Sequence, residues 1–258
     1  MISKIKKLKS KKNKSKIICL TAYSKNVAEV IDQYSDIILI GDSLGSVLYN
    51  YNSTRKVTLN MMIEHSKSAK LGIRKSLMVV DMPYKTYRNK SEALRNAKKI
   101  IKLTKCDAVK LEGGIKIYKI VEHLIKNRIQ VMGHLGVLPQ SIKGNFKSKG
   151  KNEKEKKQLL KEAKLLEELG VFAIVLECVK SSAANLITKS IKIPTIGIGS
   201  SVNCDGQVLV TDDLLGLNET KIKFVKKFAD LKKTINLGIK KFKKEVKLKK
   251  YPSKKYSY

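Results

Sequence analysis

The chain of 258 residues is 42% hydrophobic, enough to bury one large α/β core, and has no apolar run approaching the ~18 residues of a membrane-spanning helix. Its net charge of +33 comes from 55 basic residues of which only five are arginine; lysines scattered along the whole chain argue against a specific nucleic-acid surface, which favours arginine's bidentate fork, and fit drift in base composition instead. Four dispersed cysteines without a Cys-x-x-Cys pair argue against a disulfide framework or a thiolate zinc site and read as buried thiols.

Residues 1–15 form a basic opening with neither the apolar stretch of a secretory signal nor the arginines of a transit peptide, so the cytoplasm is the expected compartment. The first strand is expected at 17–22 (IICLTA), followed by a helix over 24–34 and a second strand at 36–41 (DIILIG). A helix over 58–71, with Thr58 as N-cap and Gly72 as its stop, leads to a third strand at 77–80. Then come a helix over 91–104 with Ser91 as N-cap, a strand at 106–111, a helix over 115–127 and a strand at 129–133. Residues 141–154, rich in Gly, Lys, Ser and Asn, read as a long loop. A helix over 155–169 stopped by Gly170, a strand at 171–176, a helix over 180–190, and strands at 193–198 and 207–211 follow. Residues 220–247 read as one or two lysine-rich helices and 248–258 as a loosely held tail.

The strands are short, continuous and rich in Ile and Val, as in a parallel sheet buried on both faces. Eight of them alternating with helices imply one closed (β/α)8 TIM barrel spanning residues 1–258. An open doubly wound sheet would carry a glycine-rich phosphate turn after an early strand, and none is present.

Catalytic groups of such barrels sit at the C-terminal strand ends. There the sequence places Asp42 and Ser43, then Asp81, Lys110, Glu112, His134 and Glu177. Taken singly, Asp42 and Asp81 suit helix N-caps, Lys110 a snorkelling side chain and His134 a satisfied structural histidine. Six ionisable groups at one rim are more than a folding core needs. The carboxylates of Asp42, Asp81 and Glu112 make an oxygen-rich site suited to Mg²⁺, with Lys110 facing an anionic substrate and Glu177 available as a base.

The strings LTAYS, LIGDSLG, VDMPY, VKLEGG, GHLGVLPQS, VLECV and IPTIGIGSSVNCDGQVLV, in this order from about residue 16 to 215, resemble the ketopantoate hydroxymethyltransferase family. The resemblance implies a phosphoenolpyruvate/pyruvate-type barrel with one Mg²⁺ per subunit and a homo-oligomer, a decamer in the family. It implies transfer of a one-carbon unit from 5,10-methylenetetrahydrofolate to 3-methyl-2-oxobutanoate, giving 2-dehydropantoate through a Mg²⁺-stabilised enolate, the first committed step of pantothenate synthesis. By motif match, Asp42, Asp81 and Glu112 correspond to the metal site; Asp42, Ser43, Asp81 and Lys110 to keto-acid contacts; Glu177 to the proton acceptor. His134 lies in a family motif as a secondary candidate.

Three rival readings are weaker. Gly41-Asp42-Ser43-Leu44 spells the signature of GDSL esterases, but no histidine follows His134 to serve as the serine's base. Isocitrate lyase-like and phosphonopyruvate-processing barrels also bind 2-keto acids, yet no lyase-type KKCGH run occurs. A nucleic-acid module would need a localised basic patch and aromatic platforms, and the chain has no tryptophan.

Overall fold

Each short apolar run pairs with the next along the chain, and the eighth closes on the first. β1 (Ile17–Thr21), β2 (Ile37–Ile40), β3 (Leu77–Asp81), β4 (Ala108–Glu112), β5 (Val131–Gly136), β6 (Ala173–Glu177), β7 (Thr195–Ile198) and β8 (Gly206–Leu209) form a closed parallel barrel. Ile17 of β1 lies opposite Gly206 of β8 at the closure. This computed structural model describes residues 3–142, 147–219 and 222–258, in two compact units, 1–210 and 211–258. The barrel and the helices α1 (Lys4–Lys9), α2 (Lys25–Ile31), α3 (Leu44–Tyr49), α4 (Leu59–Lys70), α5 (Lys90–Thr104), α6 (Tyr118–Lys126), α7 (Glu153–Glu168) and α8 (Ser181–Ser190) belong to the first unit. Among the described residues no helix is long and apolar enough to cross a membrane.

Helix boundaries follow the capping chemistry. Thr58 caps α4 as expected, its hydroxyl accepting from the Met61 N–H. Ser91 does not cap α5. Asn89 does, accepting from the Glu92 N–H, so the helix starts at Lys90 and Ser91 already lies inside it. Gly170 follows α7 in the left-handed conformation expected of a stop. Gly72 works differently: a Cβ there would meet the Lys25 carbonyl at 2.4 Å and the Glu29 nitrogen at 2.6 Å. It is a point of close approach to α2.

The second unit holds α9 (Thr211–Leu214) and α10 (Leu231–Lys247). The lysine-rich helix expected from 220 begins only at Leu231, because Asp230 caps it by accepting from the Lys233 N–H. No residue of α10 is buried; Ile239 and Phe242 are exposed on it. Residues 220 and 221 lie outside the described residues.

The period of two along each strand divides its side chains between two cores. Ile38, Ile40, Met78, Val80, Val109 and Leu111 join the layer under the helices. Ile37, Leu39, Leu77, Val79, Ala108, Met132 and Val175 form a second cluster with Leu8 of α1. Continuing this second parity toward the C-terminal strand ends gives Asp81 on β3, Lys110 and Glu112 on β4, His134 on β5 and Glu177 on β6. One face of the same strands therefore carries an apolar layer and then a charged one.

The basic opening is tied to the opposite end of the barrel. Lys11 pairs with Asp36 at 2.5 Å, just before β2, and Lys12 with Asp205 at 2.7 Å, just before β8. Lys12 also donates to the Thr188 carbonyl, and Lys4 to the Ser76 carbonyl, both at 2.7 Å. The Lys12 and Asp205 side chains are only 8% and 4% exposed. Removing one partner of so buried a pair costs about 3 kcal/mol. Lys12→Met is therefore predicted to lower the melting temperature by about 10 °C, at roughly 2–4 °C per kcal/mol for a chain of this size. Scanning calorimetry of the two proteins checks this; an unchanged melting point would show that the Lys12–Asp205 pair contributes nothing.

Candidate active site

The charged layer is one connected network. Asp42, which follows β2, is 5% exposed, Asp81 3%, Lys110 4%, Glu112 5% and His134 2%. The Lys110 ammonium lies 3.1 Å from Asp81 Oδ1 and 3.4 Å from His134 Nδ1. The Asp42 backbone N–H donates to Asp81 Oδ2 at 3.1 Å. His134 bridges two carboxylates: Nδ1 is 3.6 Å from Glu112 Oε1, and Nε2 is 3.3 Å from Glu177 Oε2. Ser43 stands beside Asp42, with its Oγ 2.8 Å from the Tyr23 hydroxyl. All seven residues expected at the site lie in this layer or directly beside it.

The plain structural roles do not hold for the aspartates. The N-cap of α3 is Ser43, and the Asp42 carboxylate instead accepts from Gln140. Asp81 ends β3, remote from the start of α5, which Asn89 caps. Nor does Lys110 snorkel to solvent. The esterase reading also fails on geometry: the Ser43 hydroxyl meets a tyrosine, while His134 sits among Lys110, Glu112 and Glu177.

Local backbone conditions put these groups in place. β5 and β6 run close enough at their ends that a Cβ on Gly136 would lie 2.3 Å from the Glu177 carbonyl oxygen. Gly136 also has φ +98°, so the position takes glycine on both counts. Immediately after Glu177, Cys178 takes a left-handed φ of 49° and turns the chain away from the strand. The loop expected at 141–154 returns to this rim, where the Lys149 N–H donates to the Cys178 carbonyl at 3.0 Å. Residues 143–146 lie outside the described residues.

Burial and crowding of like charges set the electrostatics. Burial, then the neighbouring Asp81 charge, pushes the Asp42 carboxyl up to about 7. Burial and the Asp42 charge push Glu112 well above the usual carboxylate range. Burial pulls Lys110 down, but the charges of Asp81, Glu112 and Asp42 outweigh it and hold the ammonium above its ordinary value. Burial and Lys110 push His134 down, so its ring is neutral near pH 7. Because an ammonium can only donate, Nδ1 is the acceptor and the ring proton sits on Nε2, toward Glu177.

Two polar atoms of this network, Asp81 Oδ1 and His134 Nε2, are buried without an aligned hydrogen-bond partner. Each nevertheless has a charged neighbour, the Lys110 ammonium at 3.1 Å and Glu177 Oε2 at 3.3 Å. Four carboxylates around one lysine leave excess negative charge, and with burial this crowding raises the proton affinity of Asp42 and Glu112. The donor set is hard oxygen, the chemistry of Mg²⁺. Among the described residues no group of three or more His, Cys, Asp or Glu side chains is arranged to hold a metal ion by itself. An ion at this site would need water and substrate oxygens as further ligands.

Three further residues at the site carry no signal of charge in the sequence. Gln140, on the loop after β5, holds both Asp42 and Glu112; Tyr87 holds Gln140; Tyr23 meets Ser43. Tyr23 and Gln140 fall within the strings LTAYS and GHLGVLPQS, but only the tertiary contacts show what they hold.

A sequence model of ketopantoate hydroxymethyltransferase matches residues 2–254. A 3-methyl-2-oxobutanoate hydroxymethyltransferase of Pelagibacter ubique (strain HTCC1062) is 64% identical over 258 residues, covering 100% of both chains. Among solved structures, a phosphonopyruvate hydrolase in complex with oxalate and Mg²⁺ superposes with a TM-score of 0.62 at 11% identity, over 99% of this chain and 93% of that one. A 2,3-dimethylmalate lyase, a member of the PEP mutase/isocitrate lyase superfamily, gives 0.60 at 11% identity, over 96% and 89%. These two likenesses show the (β/α)8 barrel fold.

Proposed function

The chain belongs to the ketopantoate hydroxymethyltransferase family, and on that premise we propose that it transfers a hydroxymethyl group from 5,10-methylenetetrahydrofolate to 3-methyl-2-oxobutanoate. The product is 2-dehydropantoate, and the step is the first committed one of pantothenate synthesis. The observation that carries this reading is the single charged layer in which a buried lysine, a carboxylate cluster and the separate, less buried Glu177 share one rim.

Lys110 and the Ser43 hydroxyl bind and orient the oxygens of the anionic keto acid. Asp81 holds Lys110 in place through their 3.1 Å ion pair. Glu177 takes the C3 proton of the keto acid, leaving the enolate. The Glu177 side chain is 17% exposed, more open than the other carboxylates of the site, so it can return that proton to solvent. The neutral His134 ring stands beside this base, its Nε2 3.3 Å from Glu177 Oε2. The enolate carbon forms the new C–C bond to the folate-borne methylene as one of its two C–N bonds breaks. Water then displaces the second folate nitrogen from that carbon, supplying the hydroxyl, and the two freed nitrogens take up one proton from that water and one from solvent as tetrahydrofolate leaves. Asp42, Asp81 and Glu112 are the residues that would hold Mg²⁺, which when bound supplies a Lewis acid that polarises the keto oxygen. Oxalate, present with Mg²⁺ in the phosphonopyruvate hydrolase of like fold, offers adjacent oxygens as a 2-keto acid does.

The direct test is to incubate the protein with 3-methyl-2-oxobutanoate, 5,10-methylenetetrahydrofolate and Mg²⁺ and to detect 2-dehydropantoate by mass spectrometry. A folded, Mg²⁺-binding protein that forms none overturns the reading.

The raised Asp42 carboxyl gives a prediction with a definite sign. Below about 7 it is protonated, so Mg²⁺ must displace a proton there. Mg²⁺ affinity measured calorimetrically is predicted to level off above pH 8 and to fall about tenfold per pH unit below 7. For the metal-free protein the linkage runs the other way. A carboxyl raised on folding favours the folded state in acid, and that contribution is lost as pH rises through about 7. Affinity independent of pH between 6 and 8 would refute the assignment of Asp42 as a ligand.

A further inference from the structure

Gln140 occupies the centre of the site without carrying charge. It is 2% exposed, and each polar atom of its amide is used. Its Nε2 donates to Asp42 Oδ2 at 2.8 Å and to the Met82 carbonyl at 3.0 Å. Its Oε1 accepts from the Tyr87 hydroxyl. Its backbone N–H donates to Glu112 Oε2 at 3.0 Å. Turning the amide over would place Oε1 against two acceptors, Asp42 and the Met82 carbonyl, so the surroundings admit one orientation. Burial and the Glu112 charge push the Tyr87 hydroxyl up, which keeps it a protonated donor to Oε1.

This residue joins four parts of the rim: the end of β2, the loop after β3, the end of β4 and its own loop after β5. Asp42 and Glu112 come from separate strand ends, and Gln140 hydrogen-bonds both of them. A lysine between them would hold them by neutralising them and would compete with a cation. A neutral amide holds them and leaves their charge intact. It engages one oxygen of each carboxylate, while the second oxygen of Glu112 is on the His134 side, 3.6 Å from Nδ1.

We infer that Gln140, locked by Tyr87, is a positioning residue that sets the Asp42 and Glu112 carboxylates in the arrangement that receives the divalent cation and the keto acid. The inference rests on the reaction proposed above, since it takes those two carboxylates as the receiving groups.

The test uses the full chain with Gln140→Leu, which keeps the side chain's bulk and removes its donors, and Tyr87→Phe, which removes the donor to Oε1 and loosens the amide. Binding of Mg²⁺ alone, and of 3-methyl-2-oxobutanoate in the presence of Mg²⁺, is measured by calorimetry alongside the melting temperature. Gln140→Leu is expected to weaken both affinities about 10- to 100-fold. Tyr87→Phe is expected to weaken them about 2- to 10-fold, with a fall of a few degrees in melting temperature from the unpaired Oε1. A residue that merely filled space would instead lower the melting temperature and leave the affinities of the folded protein alone. If Gln140→Leu does not fold, Tyr87→Phe decides: weakened binding supports the inference and wild-type binding overturns it. Wild-type affinities in both variants overturn it alone. Failure of the wild-type protein to bind the keto acid overturns the proposed reaction and this inference with it.

Discussion

Glu177→Gln lowers the exchange of the C3 proton of 3-methyl-2-oxobutanoate by about 10²- to 10⁴-fold, the range for loss of a positioned general base, while the keto acid still binds. The expectation follows from the placement of this side chain. Glu177 ends β6 on the same strand parity as Val175 of the apolar layer, and it reaches His134 Nε2 at 3.3 Å. Unlike Asp42, Asp81 and Glu112, it meets neither Gln140 nor Lys110 directly; its contact is with the imidazole. The amide has the same shape and cannot take a proton, so binding and chemistry separate cleanly. Proton exchange in D₂O followed by NMR reads the chemistry, and calorimetry reads the binding. Wild-type exchange in the variant would show that another group is the base.

Lys110→Met is the second large effect, and it acts on both activity and stability. Lys110 is the cation of a layer that otherwise holds Asp42, Asp81, Glu112 and Glu177. Removing one preorganised charge at a reacting centre costs about 10²- to 10³-fold in turnover. Breaking a buried ion pair costs about 3–5 kcal/mol as well. The stability loss has a predicted pH dependence. Without the ammonium the crowded carboxylates repel more strongly, and acid relieves that repulsion by protonating them. The fall in melting temperature is therefore larger at pH 8 than at pH 6. Equal losses at the two pH values would show that Lys110 does not neutralise this cluster.

Much of the site is legible in the sequence because strand parity and strand order are local properties. The runs IILI, LMVVD and AVKLE announce buried parallel strands, and a period of two then carries Leu77 and Val79 on to Asp81, and Ala108 on to Lys110 and Glu112. A charged residue continuing the inward parity at the end of an apolar strand belongs at the rim of a barrel. The family motifs add which of those residues meet substrate. The N-cap of α5 was misplaced at Ser91 because Asn89, Ser91 and neighbouring polar residues all satisfy the local rule. Asn89 is the residue whose side chain accepts from the Glu92 N–H.

What the sequence by itself determined is the succession of strands and helices, and with it the ring of ionisable groups, because burial on both faces writes itself as short aliphatic runs. What only the tertiary structure decided is how those groups engage one another. Gln140 reaches Asp42 across 98 positions of chain, and Lys12 reaches Asp205 across 193. Neither contact has a local signature. A neutral amide in a loop and one lysine among many look ordinary until closure of the barrel brings their partners within about 3 Å, where hydrogen bonding and charge begin to act.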